Sequence, residues 1–190
     1  IARRQRQMCI RDSIMTKTVV LVGTLDTKGQ EFAFVKELIE QAGLRTLMVD
    51  FGVMGGAAFP PDVSRDEVAA AGGGDLAHLA SGERKDEAMR VMAEGLAVVV
   101  RRLYDEGQLD GILGMGGSGN TSIATRAMRA LPVGVPKVMV STLGGGDVSA
   151  YTGTKDITFM PSIVDVAGIN SISRAIYRNA AGAIAGMVHM

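Results

Sequence analysis

Short apolar runs set the rhythm of this chain. Thr18–Val22, Arg45–Val49, Asp110–Met115, Pro136–Val140 and Ile157–Met160 are each too short for a helix and carry mostly Val, Leu, Ile and Met, the pattern of strands buried on both faces. Between them the apolar spacing changes to three and four. Phe32, Val35, Leu38, Ile39 and Ala42 form one such stripe, closed by Gly43, and Met89, Met92, Leu96, Val99, Val100 and Leu103 form another within Glu83–Gly107. Ile123, Ala124, Ala127, Met128 and Leu131 make a third, and Ile172, Ile176, Ala180, Ala183, Ile184 and Met187 a fourth, with Arg174 and Arg178 outside it. Strands alternating with helices predict an α/β fold: a Rossmann-like, doubly wound, mostly parallel sheet of about five strands with helices on both faces. The exception is Gly55–Gly82, broken by Pro60-Pro61, where Ser64-Arg65-Asp66-Glu67 matches a capping box for a short helix over Val68–Ala71. We expect a crossing excursion or lid there.

Composition narrows the classes. Hydrophobic residues make up 47% of the chain and glycine contributes 25 positions, a mixture that suits buried parallel strands joined by tight turns. The 20 basic and 20 acidic residues cancel, which leaves no electrostatic footprint for nucleic acid or an anionic membrane. Arg101, Arg102, Arg174 and Arg178 interrupt the longest apolar stretches, and a lone Cys9 rules out an internal disulfide framework. A cytoplasmic protein is expected. Ile1–Ile14, basic and aperiodic, lacks the apolar core of a secretory signal and reads as a non-native leader before an ordinary start at Met15. Residues 15–190 then form the folded part.

The candidate chemistry lies just after the strands. Asp110–Met115 runs into Gly116-Gly117-Ser118-Gly119-Asn120-Thr121 and then a helix, the local arrangement that holds phosphates on free backbone N–H groups. Ser118, Asn120 and Thr121 can cap that helix or bind phosphate oxygens. The motif is neither a P-loop nor a clean dinucleotide fingerprint, which sets NAD-type binding behind a redox-neutral nucleotide. After the first strand, Gly23–Gly29 reads GTLDTKG. There Thr24 and Thr27 can bond phosphate or ribose, Lys28 can neutralise an anion, and Asp26 can hold a metal or cap the helix. Asp50 ends the second strand, where an acid can meet ribose hydroxyls or merely begin a turn. Ser141–Asp147 is a third glycine-rich loop, and Asp147 is a candidate metal partner or a solvated loop acid. Neither His78 nor His189 has a partner placed by sequence, and neither receives a role.

Four of these stretches together carry a family likeness. GTLDTKG, GMGGSGNT at Gly114–Thr121, STLGGGDV at Ser141–Val148 and SIVDVAGINSISR at Ser162–Arg174 resemble, in order, the Tm-1-like ATP-binding domain family, which takes in many uncharacterised bacterial proteins. The resemblance covers Lys17–Met190. It implies an N-terminal domain of two Rossmann-like halves, of which this chain is the first, with the second subdomain missing. It also implies ATP, with Mg²⁺, held at Thr24, Asp26, Thr27, Lys28, Gly116, Gly117, Ser118, Gly119, Asn120, Thr121, Gly145 and Gly146. An ATP-binding module is the first expectation. The alternative is an enzyme that performs ATP-dependent phosphoryl transfer or hydrolysis on a small molecule. A homodimer would cover apolar surface at the open side of such a half-domain.

Overall fold

The computed structural model describes residues 16–80 and 85–190. Ile1–Ile14, with Cys9, and the first residues of the helix expected from Glu83 lie outside the described residues. Strands β1 (Thr18–Gly23), β2 (Arg45–Asp50), β3 (Gly111–Gly116), β4 (Lys137–Ser141) and β5 (Thr158–Pro161) form one sheet in the order β2-β1-β3-β4-β5. Every neighbouring pair is parallel. The helices are α1 (Leu25–Gln41), α2 (Arg65–Ala71), α3 (Leu76–Leu79), α4 (Lys85–Asp105), α5 (Ser118–Ala130), α6 (Ser149–Thr152) and α7 (Ser171–His189).

The period of two along the strands divides the core between the two faces. Val20, Val22, Ile112 and Met139 face a layer built from α2, α4 and α5, where Val68, Met92, Leu96, Ala127 and Met128 meet them. Val19, Leu21, Leu113 and Val138 face the opposite layer of α1 and α7, with Phe32, Val35, Ile39, Tyr177 and Ile184. Burial on both faces explains why the strands read as continuous apolar runs rather than as alternations.

Several local expectations need correction. The short helix after Pro60-Pro61 starts at Arg65, and its capping box is present: Glu67 N–H donates to Ser64 Oγ at 3.2 Å and Ser64 N–H to Glu67 Oε2 at 3.1 Å. The excursion touches the sheet as well, because Val63 makes a parallel bridge to Val49 beside β2. On α7 the buried face is rotated from the expected stripe. Ile172 and Met187 are 47% and 39% exposed, while Ser173, Tyr177, Ala181, Ala185 and Val188 are buried. The inner face mixes Ser173 and three alanines with Tyr177, Ile184 and Val188, so the stripe of Ile and Met positions did not mark it. Lys137 is a second surprise. It is 1% exposed within β4, and its ammonium donates to the Pro132 and Val135 carbonyls and to Asp156 Oδ1, each at 2.8 Å.

Candidate functional site: a crevice between two helix starts

The strand order reverses between β1 and β3, and in open parallel sheets ligands bind beyond the carboxyl ends of the strands at such a reversal. Both strands here run directly into a helix. Thr24 is the N-cap of α1 and Gly117 that of α5, and neither provides a side-chain cap. Thr24 is a residue type that normally caps, but its hydroxyl is engaged elsewhere. Thr24 Oγ1 shares a 2.9 Å hydrogen bond with Thr27 Oγ1 and accepts from Asn120 Nδ2 at 2.9 Å. Asn120 therefore reaches across the strand reversal and locks the two loops together.

Gly116 makes that reach possible. Its φ is +155°, and a Cβ there would stand 2.5 Å from the Asn120 Cβ. Gly117 and Gly119 differ in kind: a Cβ would lie 3.8 Å from Thr142 Oγ1 at the first and 3.9 Å from Met89 Cε at the second, ordinary van der Waals contacts that leave room for a side chain. Ser118 is exposed beside them. Thr121 turns inward. Fully buried, it donates from Oγ1 to the Gly117 carbonyl at 2.8 Å and shares a 2.7 Å bond with Ser141 Oγ, so it braces α5 against β4 instead of facing the crevice.

A cavity of 460 Å³ opens at this point. Thr24, Asp26, Thr27, Gly119 and Asn120 supply its polar wall, and Phe51, Val53, Met89, Met92 and Ile123 its apolar one. Asp26 fastens the neighbouring loop, since its Oδ2 accepts from Met54 N–H at 2.8 Å and Gly55 N–H at 3.2 Å. Its Oδ1 is buried with no partner among the described residues.

The other predicted acid and the predicted base are placed differently. Asp50 is 1% exposed, and its Oδ1 accepts from Leu25 N–H at 3.0 Å and Gly52 N–H at 2.9 Å. It braces the two strand-end turns from inside and does not line the cavity. Burial raises its pKa, against the lowering effect of those two N–H groups. Lys28 sits where α1 kinks, at φ −132° and ψ 25°, and its ammonium donates to the Val166 carbonyl. That contact carries it away from the crevice. Glu31, which the sequence reading did not single out, is 3% exposed and accepts from Gly168 N–H, so Lys28 and Glu31 together hold residues 166–168. Glu31 falls three residues after Lys28 and directly before Phe32, on the buried side of the helix. A charge on that stripe was the available signal.

The third glycine loop stays apart. Gly145 and Gly146 are exposed, while at Gly144 a Cβ would meet the Pro161 backbone nitrogen at 2.8 Å. Thr142 and Gly145 instead border a separate 330 Å³ depression with Pro161, Ser162, Ile163 and Asp165. Asp147 is exposed and accepts from Ser149 N–H at 2.9 Å, a bond that holds its pKa below the usual carboxylate value. It lines neither cavity. No group of three or more His, Cys, Asp or Glu side chains suited to a metal occurs among the described residues. His78 is exposed on α3, and His189 Nε2 lies 3.1 Å from the Ala42 carbonyl at the other end of α1. Two of the three loops thus converge on one cavity.

The N-terminal domain of the uncharacterised protein family UPF0261 matches residues 17–190. The chain belongs to that family. It is 51% identical over 174 residues to a UPF0261 protein of Clostridium tetani, covering 92% of this chain and 43% of the relative. It is 44% identical over 173 residues to the UPF0261 protein RA0729 of Rhizobium meliloti, covering 91% and 42%. The ToMV susceptible protein tm-1(GCR26) of Solanum lycopersicum is 33% identical over 185 residues, covering 90% of this chain and 24% of that protein. The chain therefore spans less than half the length of these curated relatives. Among the described residues of this UPF0261 domain, no helix is long and apolar enough to cross a membrane.

Proposed function

We propose that this domain binds ATP in the cavity over the strand reversal, with phosphates at the α1 and α5 N-termini and the base against Phe51, Met89 and Met92. One observation carries the reading: two helix N-termini whose N-cap residues make no side-chain cap are locked side by side by Asn120, Thr24 and Thr27 at the mouth of one cavity, with only the Leu25 N–H of α1 taken by a side chain, Asp50, among the described residues. Free N–H groups and the positive ends of two helix dipoles favour an anion at that point. The apolar wall suits a planar base.

Mg²⁺ fits the same site in a limited way. Asp26 is the acid that borders the cavity, and its partnerless Oδ1 suits one ligand to the ion or to an ion-bound water. Phosphates and waters would provide the rest, as is usual for Mg²⁺. The bound ion would neutralise phosphate charge; Thr24, Thr27 and the N–H groups of α5 would orient the phosphates. We assign the domain to the cytoplasm, and we propose that the further length seen in the relatives completes the site.

A second reading, ATP-dependent phosphoryl transfer or hydrolysis, draws on the depression bordered by Thr142, which lies on the other side of Gly117 and offers room for a small-molecule acceptor. Repeated turnover with released ADP, measured on a full-length relative, separates an enzyme from a binding module.

Calorimetric titration of ATP and NAD⁺, with and without Mg²⁺, tests the main reading. ATP binding is expected, and it should disappear in Gly117→Val, whose added Cβ fits at the N-cap of α5 in ordinary contact with Thr142 Oγ1, away from the core. ATP binding that survives this substitution would move the phosphates elsewhere.

A further inference from the structure

We propose that Lys85 provides the positive charge that receives the nucleotide's phosphates, the role the motif pattern had offered to Lys28. The inference rests on the nucleotide reading above and names a residue that no motif marks. Three observations support it. Lys85 borders the same cavity as Thr24, Thr27, Gly119 and Asn120, and it is the only cationic side chain among the described residues lining it. Among the described residues it has no hydrogen-bond or ion-pair partner, whereas Lys28 is spent on the Val166 carbonyl and Lys36 is paired with Glu40. Its position also runs against local preference. Lys85 stands in the first turn of α4, where the helix dipole disfavours a cation and where Asp86 and Glu87 follow the usual rule. A local rule broken at the rim of a cavity is a mark of function.

The layout of α4 explains how one helix serves both halves of a nucleotide. Ala88, Met89 and Met92 follow Lys85 at three, four and seven residues, so the same face carries the cation at the helix start and apolar contacts one and two turns further in. The lysine stem can lie along that apolar surface while its ammonium stays at the polar mouth. The first turns of α1 and α5 border the same cavity through Thr24, Thr27, Gly119 and Asn120. An anion held there would meet backbone N–H groups on one side and the Lys85 ammonium on the other, with no carboxylate among the described residues paired to that ammonium.

The test is ATP titration into the full chain as wild type, Lys85→Gln, Lys85→Arg and Lys28→Gln, with thermal melting of each. Lys85 is exposed, so its variants should melt as the wild type does. The expected result is ATP affinity about tenfold weaker in Lys85→Gln, a loss typical of one charge-assisted contact. Lys85→Arg should restore most of it, and Lys28→Gln should stay within about twofold of wild type. Wild-type ATP affinity in Lys85→Gln would overturn the inference and leave the nucleotide reading standing. Loss in Lys28→Gln with none in Lys85→Gln would return the role to Lys28. A wild-type chain that binds no ATP would overturn both.

Discussion

Helix starts in this domain are finished in two ways. Away from the crevice, α2 begins with a capping box from Ser64 and Glu67, and α7 begins with one from Asn170 and Ser173, and their side chains accept from the free N–H groups of the first turn. At the strand reversal, α1 and α5 begin on Thr24 and Gly117, neither of which caps its helix, and the one side-chain bond described there is from Leu25 N–H to Asp50 Oδ1. The four-residue α6 also starts on a residue without a side-chain cap, Val148, but α1 and α5 are the longer helices whose N-cap residues leave the start open beside the cavity. A bare helix end is ordinarily a cost, because the first N–H groups of a helix need partners. Two of them side by side, held by a dedicated Asn120 bridge, make sense as a place for an anion.

The sharpest way to break this contrast is to close the open end. Gly117→Asp gives α5 a capping carboxylate, so the protein should gain a few tenths of a kcal/mol in stability by denaturant unfolding. The same carboxylate repels phosphate, and ATP affinity should fall by about 100-fold or more. A variant that is stabilised and still binds ATP would remove the anion role from α5. The converse change is to open a closed end. Asn170→Ala strips the cap from α7, where Asn170 Oδ1 accepts from Ile172 and Ser173 N–H at 2.9 Å. It should cost about 1 kcal/mol of stability and leave ATP affinity unaltered.

The smallest expected effect concerns what lies beneath the crevice. Burial holds the Asp50 carboxyl above its usual pKa, so the folded state keeps this proton at pH values where the unfolded chain has released it. Its contribution to stability is therefore present at low pH and declines as pH rises from the unfolded value of 3.8 through the folded value. Asp50→Asn should flatten that part of the profile, measured by denaturant midpoints from about pH 4 to about pH 7. A mutant profile parallel to the wild-type one would show that Asp50 does not set the slope.

Much of this was readable in advance, for identifiable reasons. The strands were legible because burial on both faces demands unbroken apolar runs, and the Ser64–Glu67 box because capping has a four-residue signature. Three glycine loops were legible as strand-end turns, but their partition was not. Gly119 borders the 460 Å³ cavity and Gly145 the separate depression, while Gly117 lines neither and faces Thr142 on the rim of the depression. One-dimensional spacing does not record which loop neighbours which.

The sequence by itself determined the layered α/β architecture, the family, and the polar residue types available at each strand end, because these follow from hydrophobic period and from short motifs that act within a few residues of themselves. Only the tertiary structure decided what each polar side chain is used for. Thr121 and Asp50 face inward to brace neighbouring turns, and Lys28 crosses to Val166 near α7. Lys85, far along the chain in an unremarkable charged run, arrives at the cavity because α4 packs beside α5. A charged or hydroxyl side chain takes its partner from whatever the fold brings within about 3 Å, and that distance is set by packing between elements far apart in sequence.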